Sequence, residues 1–317
     1  MSARNLAVGL LGGRGLLGRE VQRVLSERGF DRLSVFDRSV DLLEPASLAT
    51  AFDRTSLDVV INCAAWTDVE RAESNSDQAH RVNATGVRSL SALLADRAVG
   101  LIHISTDYVF SGEQSRPYRA SDPVGPLNEY GRSKRAGEEA VLASDLDRWW
   151  ILRTSWLYGE GAGHFPARMA QLARKRPQLS VVDDQRGTPT STTQVAEAIA
   201  AELMDAEGAL PGKIEHLAGR ETGSWADFAG AVIDLLSDRG DDSPLANVEP
   251  VTTEAFAAAQ RAAGRTPPQA RRPPNSALCS EEYTERTGRE IDDWRTALRS
   301  TFDRYGLSWG WAGEENA

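Results

Sequence analysis

The strongest constraint on the fold is a regular alternation between short apolar runs and amphipathic segments in the first half of the chain. Five apolar runs have the length of strands, and the segments between them place apolar residues at helical spacing. The third run, "DVVINCAA", is nearly continuously apolar, as parallel strands buried on both faces tend to be. Repeated β-α units of this kind predict an α/β fold with a doubly wound parallel sheet and right-handed crossovers.

Three glycines follow the first apolar run and open the first helical segment: Gly12, Gly15 and Gly18. Without side chains they let the backbone turn sharply and approach a pyrophosphate closely, with the helix N-terminus facing its negative charge. Such a triplet is often a mere turn, but at the first β-α junction it predicts dinucleotide binding by a Rossmann domain. The predicted cofactor site includes Leu16 and Leu17, which begin the helix.

Three charged residues bear on the choice between the two nicotinamide cofactors. Asp37 ends the second apolar run, where a carboxylate can accept hydrogen bonds from the adenosine ribose, a feature typical of NAD sites. Arg14 in the glycine turn and Arg38 beside Asp37 point the other way, because a guanidinium can pair with a 2′-phosphate. Two arginines that are merely exposed to solvent would give the same sequence pattern. We favour NADPH, with NADH possible.

After about residue 155 the pattern changes to helices, short strands and Pro-rich loops. We predict a dinucleotide-binding domain over residues 1–155 and a smaller, mainly substrate-binding region over residues 156–317. The return of segments near 180–218 to the first domain is left open. The Ala-rich stretch "EAFAAAQRAAGR" is expected to be a surface helix.

The composition limits the partners and the compartment. The 317 residues carry a formal charge of −10 and no polybasic stretch, so we expect neither a nucleic acid nor a membrane partner. The two cysteines lie far apart in sequence, the N-terminus lacks a signal-peptide pattern, and no apolar run approaches the roughly 20 residues of a membrane span. These features predict a soluble, cytoplasmic protein.

A phenol and an ammonium group, Tyr130 and Lys134, are spaced to share one face of a helix. Strand four ends just before Asp107, so Thr106 and its neighbours should reach the same crevice. A free phenol has a pKa of roughly 10, and a nearby ammonium is expected to lower it. Hydride addition to a ketone needs an acid and a hydroxyl donor, and Tyr130 and Thr106 supply these groups. Isolated Tyr-x-x-x-Lys pairs are mostly surface pairs, but the glycine turn and the strand end favour catalysis.

Ordered motifs along nearly the whole chain resemble the dTDP-4-dehydrorhamnose reductase family of the extended short-chain dehydrogenase/reductase superfamily. They include "DVVINCAAWTDVERAES", "HISTDYVFSG", "PLNEYGRSKRAGE", "ILRTSWLYG", "LSVVDDQRGTPTS" and "ARRPPNS". The resemblance implies an NAD(P)H-dependent oxidoreductase that reduces the C4 ketone of a dTDP-4-keto-6-deoxyhexose, foremost dTDP-4-dehydro-L-rhamnose.

The resemblance also implies roles for particular residues. The catalytic set would be Thr106, Tyr130 and Lys134. Further cofactor contacts, besides Tyr130 and Lys134, would come from Ala64, Ala65 and Thr67. The sugar nucleotide would contact Thr67, Val69, Thr106, Asp107, Tyr108, Trp156 and the loop around Arg272.

The chain departs from the family pattern near the sugar. Gly163 and His164 stand where relatives often have two asparagines, Trp66 replaces Tyr or His, and the Ala-rich segment is longer. A 4-ketoreductase for another nucleotide deoxysugar of natural-product biosynthesis is therefore an alternative. Glu20 matches a residue that holds magnesium at a dimer contact in some relatives, but Gln194 stands where a second acid is expected, so no metal is predicted. We expect a monomer or a homodimer.

Two rival functions belong to proteins that resemble these reductases. A dehydratase would place Glu after the strand-four Asp, but here Asp107 is followed by Tyr108. An epimerase would retain its dinucleotide without net consumption. A non-catalytic NADP-binding regulatory subunit is disfavoured by the retained Thr106, Tyr130 and Lys134 but is not excluded by them.

Overall fold

The computed structural model describes residues 5–36, 40, 42–205, 209–241 and 243–309. Asp37 and Arg38, both predicted cofactor contacts, lie outside the described residues. The strands are β1 Val8–Leu11, β2 Leu33–Phe36, β3 Val59–Asn62, β4 Gly100–Thr106, β5 Trp149–Thr154, β6 Leu157–Tyr158, β7 Gln178–Val182, β8 Arg186–Gly187, β9 Thr190–Ser191, β10 Lys213–His216, β11 Gly223–Ser224 and β12 Asn247–Val251.

The helices alternate with these strands in the first half and dominate the second half. They are α1 Leu16–Glu27, α2 Pro45–Asp53, α3 Val69–Ser74, α4 Ser76–His80, α5 Gly86–Ala95, α6 Glu129–Leu142, α7 Phe165–Ala173, α8 Thr192–Asp205, α9 Trp225–Asp238, α10 Thr253–Ala262, α11 Glu281–Thr287 and α12 Trp294–Tyr305. A π-helical turn, Arg81–Thr85, joins α4 to α5, and 3₁₀ turns cover Asp107–Val109 and Gly306–Trp309.

Six of the described strands form one parallel sheet in the order β2-β1-β3-β4-β5-β10. The order reverses between β1 and β3, as it does in doubly wound sheets. The predicted α/β fold is confirmed, and its five predicted strands are β1 to β5. The sixth strand, β10, comes from the second half of the chain and pairs with β5.

Hydrophobic layers cover both faces of this sheet because successive strand residues point to opposite sides. On one face, Leu10 and Ile61 pack with Val21 of α1 and Ile199 of α8. The opposite layer contains residues of α2 and α5 together with alternate strand residues such as Val60. Two elements of the second half thus belong to this sheet and its covering layers, namely α8 and β10, which lie within residues 192–216. The division of the chain into two regions at residue 155 remains a prediction.

The second half of the chain builds a separate apolar cluster around α7, α9 and α12. Phe228, Trp294 and Leu298 are buried there, and β7 pairs with β12 beside it. The Ala-rich stretch forms α10, in which no residue is buried. Within the described part of the chain, no helix is long and apolar enough to cross a membrane.

A buried ion pair ties α6 to the sheet. The Arg153 guanidinium donates two hydrogen bonds to the Glu138 carboxylate, each 2.8 Å long, and both side chains are almost fully buried. Ser105 of β4 donates a third, at 2.6 Å. Burial by itself raises the Glu138 pKa, but the hydrogen bonds and charge of Arg153, with those of Ser105 and Arg135, outweigh it and hold the pKa below 4.5.

We predict that Glu138→Gln destabilises the fold by about 3–5 kcal/mol at neutral pH, because it leaves the Arg153 charge buried without its partner. Urea-induced unfolding measures this loss. The control is Glu139→Gln, which removes an exposed carboxylate paired with the same helix's Arg135 and should cost less than about 1 kcal/mol.

The effect should depend on pH in a defined direction. Since folding lowers the Glu138 pKa, the pair contributes fully above the unfolded-state pKa near 4.5 and loses its contribution as the pH falls below it. The difference in unfolding free energy between wild type and Glu138→Gln should therefore shrink on acidification. Equal unfolding midpoints of the two proteins at neutral pH would contradict the assignment.

Candidate active site

One cleft, with a volume of about 1130 Å³, opens at the carboxyl ends of the parallel strands. Its walls include the last residue or the next residue of β1 to β5, so the sheet itself brings the separate motifs together. The predicted site residues that line it are Gly12, Arg14, Gly15, Leu16, Leu17, Gly18, Ala64, Ala65, Thr67, Val69, Thr106, Asp107, Tyr108, Tyr130, Lys134 and Trp156.

The glycine turn needs its glycines for space and for backbone conformation. Gly12 has φ +76°, and a Cβ there would lie 2.6 Å from the backbone nitrogen of Ala64. A Cβ on Gly18 would overlap the carbonyl oxygen of Gly12. The glycine turn thus packs against the residues after β3, and α1 packs against the turn, so a larger residue at either position would force these segments apart.

The N-terminus of α1 faces this cleft without a side-chain cap. Gly15 is the N-cap residue and carries no side chain that could accept from the first turn. The unpaired backbone N–H groups and the helix dipole make this end suited to a phosphate group. The cradle therefore fits a dinucleotide pyrophosphate, with Ala64, Ala65 and Thr67 on the facing wall.

Helix α6 positions the phenol and the ammonium. Asn128 caps the helix by accepting a hydrogen bond from the Gly131 N–H at 2.8 Å, so Tyr130 lies in the first turn and Lys134 one turn later. The Tyr130 hydroxyl bonds with Thr106, which in turn donates to the Asp107 carboxylate at 3.0 Å. The three predicted catalytic groups thus meet at the same wall of the cleft.

The electrostatics of this pair differ from the sequence expectation. Burial raises the pKa of Tyr130 to about 12, and the hydrogen bond with Thr106 only partly offsets this increase. Burial also lowers the pKa of Lys134 to about 8, and its amino group donates to the Ile104 carbonyl at 2.6 Å. The expectation of a phenol pKa below its usual value is therefore wrong here, because burial and the negative charge of Asp107 both raise it.

Asp107 and Tyr108 lie beside this pair, between the cleft and the Pro-rich loop. Burial raises the pKa of Asp107 to about 6, although hydroxyls of Ser276 and Thr106 lower it. The Tyr108 ring packs edge-on against the Tyr130 ring, with centroids 6.0 Å apart. Arg272 lies next to this lining and bonds with the Tyr108 hydroxyl, so the structure places it beside the cleft wall.

Trp156 enters the cleft from a strained backbone. Its φ of +47° lies in the left-handed region, which costs about 1–3 kcal/mol for a residue other than glycine. Its indole stacks on Trp225 with centroids 3.5 Å apart and rings 5° from parallel. Gly187 backs the same indole so closely that a Cβ there would overlap it. The expected aromatic wall is therefore a pair of indoles.

Two residues at or below the site, Trp225 and His103, were not predicted from the sequence. Trp225 begins α9, more than sixty positions after Trp156, and no local sequence pattern links the two residues. His103 lies buried under the site, with Nε2 at 3.5 Å from the Lys134 amino group and Nδ1 at 3.2 Å from the Asn62 amide. Burial and the Lys134 charge lower the His103 pKa, so this ring is neutral.

The residues that depart from the family pattern also line the cleft. Gly163 and His164 stand at the start of α7, where His164 Nδ1 accepts from the Ala167 N–H at 3.3 Å. Trp66 donates its indole N–H to the Asp68 carbonyl at 3.0 Å. These departures therefore change the lining of the cleft without replacing Thr106, Tyr130 or Lys134.

Glu20, which matches a metal position in some relatives, is buried and already bonded. Its oxygens accept from Arg23 at 2.7 Å, Thr193 at 2.6 Å and Tyr305 at 2.8 Å. Those partners lower its pKa despite burial, which alone would raise it. Across the described ranges, no group of three or more His, Cys, Asp and Glu residues could hold a metal ion.

Comparison with known proteins agrees with the geometry. The family profile described as RmlD substrate binding domain matches residues 7–307. The chain is 38% identical over 294 residues to dTDP-4-dehydrorhamnose reductase from Streptomyces griseus, covering 92% of this chain and 91% of the relative. It is 35% identical over 293 residues to dTDP-4-keto-6-deoxy-D-glucose reductase from Streptomyces niveus, covering 92% and 94%.

A solved structure shares the fold over nearly the whole chain. The crystal structure of dTDP-4-dehydrorhamnose reductase from Bacillus anthracis in complex with NADP superposes with a TM-score of 0.84 at 28% identity, covering 95% of this chain and 99% of that one. Together with the family profile and the glycine turn, Thr106, Tyr130 and Lys134 around one cleft, this places the chain in the RmlD family of dTDP-4-dehydrorhamnose reductases.

Proposed function

We propose that this protein is an NADPH-dependent oxidoreductase that reduces the C4 ketone of a dTDP-4-keto-6-deoxyhexose, foremost dTDP-4-dehydro-L-rhamnose to dTDP-L-rhamnose. The observation that carries the proposal is the meeting of Thr106, Tyr130 and Lys134 in the cleft that begins at the glycine turn. The names of the relatives from Streptomyces griseus and Bacillus anthracis support the substrate and the cofactor.

The dinucleotide end of the cleft offers groups that suit the phosphates and the nicotinamide half of NADPH. The uncapped N-terminus of α1 would hold the pyrophosphate, and Ala64, Ala65 and Thr67 would lie along the nicotinamide half. Arg14, which lines the cleft within the glycine turn, would contribute positive charge towards a 2′-phosphate. When bound, the reduced nicotinamide supplies the hydride.

The other end of the cleft supplies the proton and fixes the ketone. The Thr106 hydroxyl lies beside the Tyr130 hydroxyl, so both would face the carbonyl oxygen of a ketone bound there. As hydride adds to C4, the C=O π electrons move to oxygen, and Tyr130 gives its proton to that oxygen to form the alcohol. The Lys134 ammonium, when charged, stabilises the resulting phenolate.

The sugar nucleotide would lie against Val69, Tyr108 and the stacked indoles of Trp156 and Trp225, with Asp107 close to its hydroxyl groups. A large aromatic surface suits the apolar face of a pyranose. Arg272 would pair with the diphosphate from the loop side. Its bond to Tyr108 keeps the guanidinium next to the cleft wall.

An alternative substrate, a different nucleotide deoxysugar, is supported by three residues that line the cleft and by one relative. Gly163, His164 and Trp66 line the cleft, and the relative from Streptomyces niveus is a dTDP-4-keto-6-deoxy-D-glucose reductase at 35% identity. A nucleotide deoxysugar of another configuration at C5 or C3 would meet the same catalytic groups. A non-catalytic NADP-binding subunit is the other alternative.

We also propose that the protein is cytoplasmic, which is supported by its two unpaired cysteines, Cys63 and Cys279.

The direct test is the loss of NADPH absorbance, and then of NADH absorbance, when purified protein meets freshly made dTDP-4-keto-6-deoxy-L-mannose. We expect oxidation with NADPH as the better donor, and NMR should identify dTDP-L-rhamnose. Absence of oxidation with NADPH binding intact would count against this substrate and favour another keto-sugar or the binding-subunit alternative.

Replacing the acid should remove catalysis and spare binding. Tyr130→Phe is expected to lower kcat by about 10²–10⁴-fold, because the variant lacks the proton donor, while calorimetry should find that it still binds NADPH. Tyr283→Phe is the control, since its ring packs on Trp150 away from the cleft. Normal turnover by Tyr130→Phe would refute the assigned mechanism.

The pH profile should report the charge of Lys134. With both substrates saturating, kcat is expected to fall as the pH rises through about 8, where the buried Lys134 loses its proton. The Tyr130 phenol, with a pKa of about 12, stays protonated over this range. Lys134→Arg keeps its charge, so any activity that it retains should show no such decline. A decline near pH 8 in both proteins would exclude Lys134 as its source.

A further inference from the structure

The Pro-rich loop, residues 265–276, is fastened to α3 by one carboxylate. Glu70 Oε2 accepts hydrogen bonds from the backbone N–H of Gln269 at 2.7 Å and of Ala270 at 3.2 Å. Ala270 is buried beneath this contact although its neighbours are exposed. Because α3 follows directly on the cofactor wall at Thr67, the carboxylate joins the loop to the rim of the cleft.

The same carboxylate also pairs with one of the three arginines of the loop. Glu70 Oε1 lies 2.6 Å from a terminal nitrogen of the Arg272 guanidinium. The two side chains are 37% and 24% exposed, so solvent screens the pair only in part. Arg272 also bonds with the Tyr108 hydroxyl, and its charge lowers the Tyr108 pKa against the larger effect of burial. The guanidinium is thus shared between a carboxylate outside the cleft and a phenol inside it.

An anionic ligand at this end of the cleft must compete with Glu70 for Arg272. A carboxylate and a diphosphate prefer the same planar donor geometry of a guanidinium. Glu70 therefore has two opposing effects on such a ligand. It holds the loop and its arginine close to the cleft, and it weakens the attraction of that arginine for a second anion.

We propose that Glu70 is a positioning residue for the sugar nucleotide: it latches the Pro-rich loop and sets how strongly Arg272 binds the diphosphate. The inference rests on the proposed function for the identity of the anion. Removing the charge while keeping the acceptor oxygen separates the two effects. In Glu70→Gln, the amide oxygen can still accept from Gln269 and Ala270, but Arg272 loses its competing carboxylate.

The first test is calorimetric binding of dTDP. An exposed ion pair is worth up to about 1 kcal/mol, so Glu70→Gln should bind dTDP up to about fivefold more tightly than wild type. The KM of the sugar nucleotide should fall and the KM of NADPH should not change. The matched control is Asp77→Asn, which removes an exposed carboxylate from α4, one helix further along, and should leave dTDP affinity unchanged.

The tighter binding of dTDP by Glu70→Gln should depend on Arg272. Arg272→Gln alone should weaken dTDP binding, and Glu70→Gln added to it should give no recovery. A Glu70→Gln protein that binds dTDP no more tightly than wild type, or a gain that persists without Arg272, would overturn the proposal.

Limited trypsin digestion tests separately whether Glu70 holds the Pro-rich loop in place. Cleavage between Arg271 and Arg272, followed by mass spectrometry, should be faster in Glu70→Ala than in wild type and close to wild type in Glu70→Gln. Unchanged cleavage in Glu70→Ala would overturn the latch. If wild type does not bind dTDP at all, the proposed substrate class fails, and digestion still decides whether Glu70 holds the loop.

Discussion

The buried pair of Arg153 and Glu138 is the interaction on which the geometry of the site depends. It joins β5 to α6, and Ser105 adds β4 to the same network. Two charges removed from water cost several kcal/mol each, and only the bidentate contact with its additional donors offsets this. The pair therefore does little for net stability compared with an apolar contact of the same size. What it does is fix one rotation of α6, because only that rotation places Glu138 on Arg153.

That rotation determines where the reacting groups point. Lys134 lies one turn before Glu138 on the same face of α6, and Tyr130 one turn before Lys134. When Glu138 faces β5, the phenol faces Thr106 at the end of β4. Burial then has a chemical effect, since it raises the Tyr130 pKa to about 12 and lowers the Lys134 pKa to about 8. The site favours a protonated phenol beside an amine that titrates within a working pH range.

The sequence predicted what depends on local pattern and failed where distant segments meet. Parallel strands β1 to β5 and the glycine turn follow from apolar periodicity and from the residues a tight turn requires. The sixth strand and Trp225 do not, because their places depend on tertiary packing between segments far apart in sequence. The raised pKa of Tyr130 was also not predicted from the sequence. Spacing shows that a cation lies near a phenol, but the balance of charge and burial depends on the depth of the cleft.

Asn128 gives the loop and the acid a common support. Its side-chain oxygen caps the first turn of α6, while its amide nitrogen donates to the Arg271 carbonyl at 2.9 Å. One planar amide thus holds the turn that carries Tyr130 and the backbone next to Arg272, so neither can shift without straining the other. The position of the backbone beside Arg272 and the position of the Tyr130 phenol are therefore mechanically coupled through one side chain.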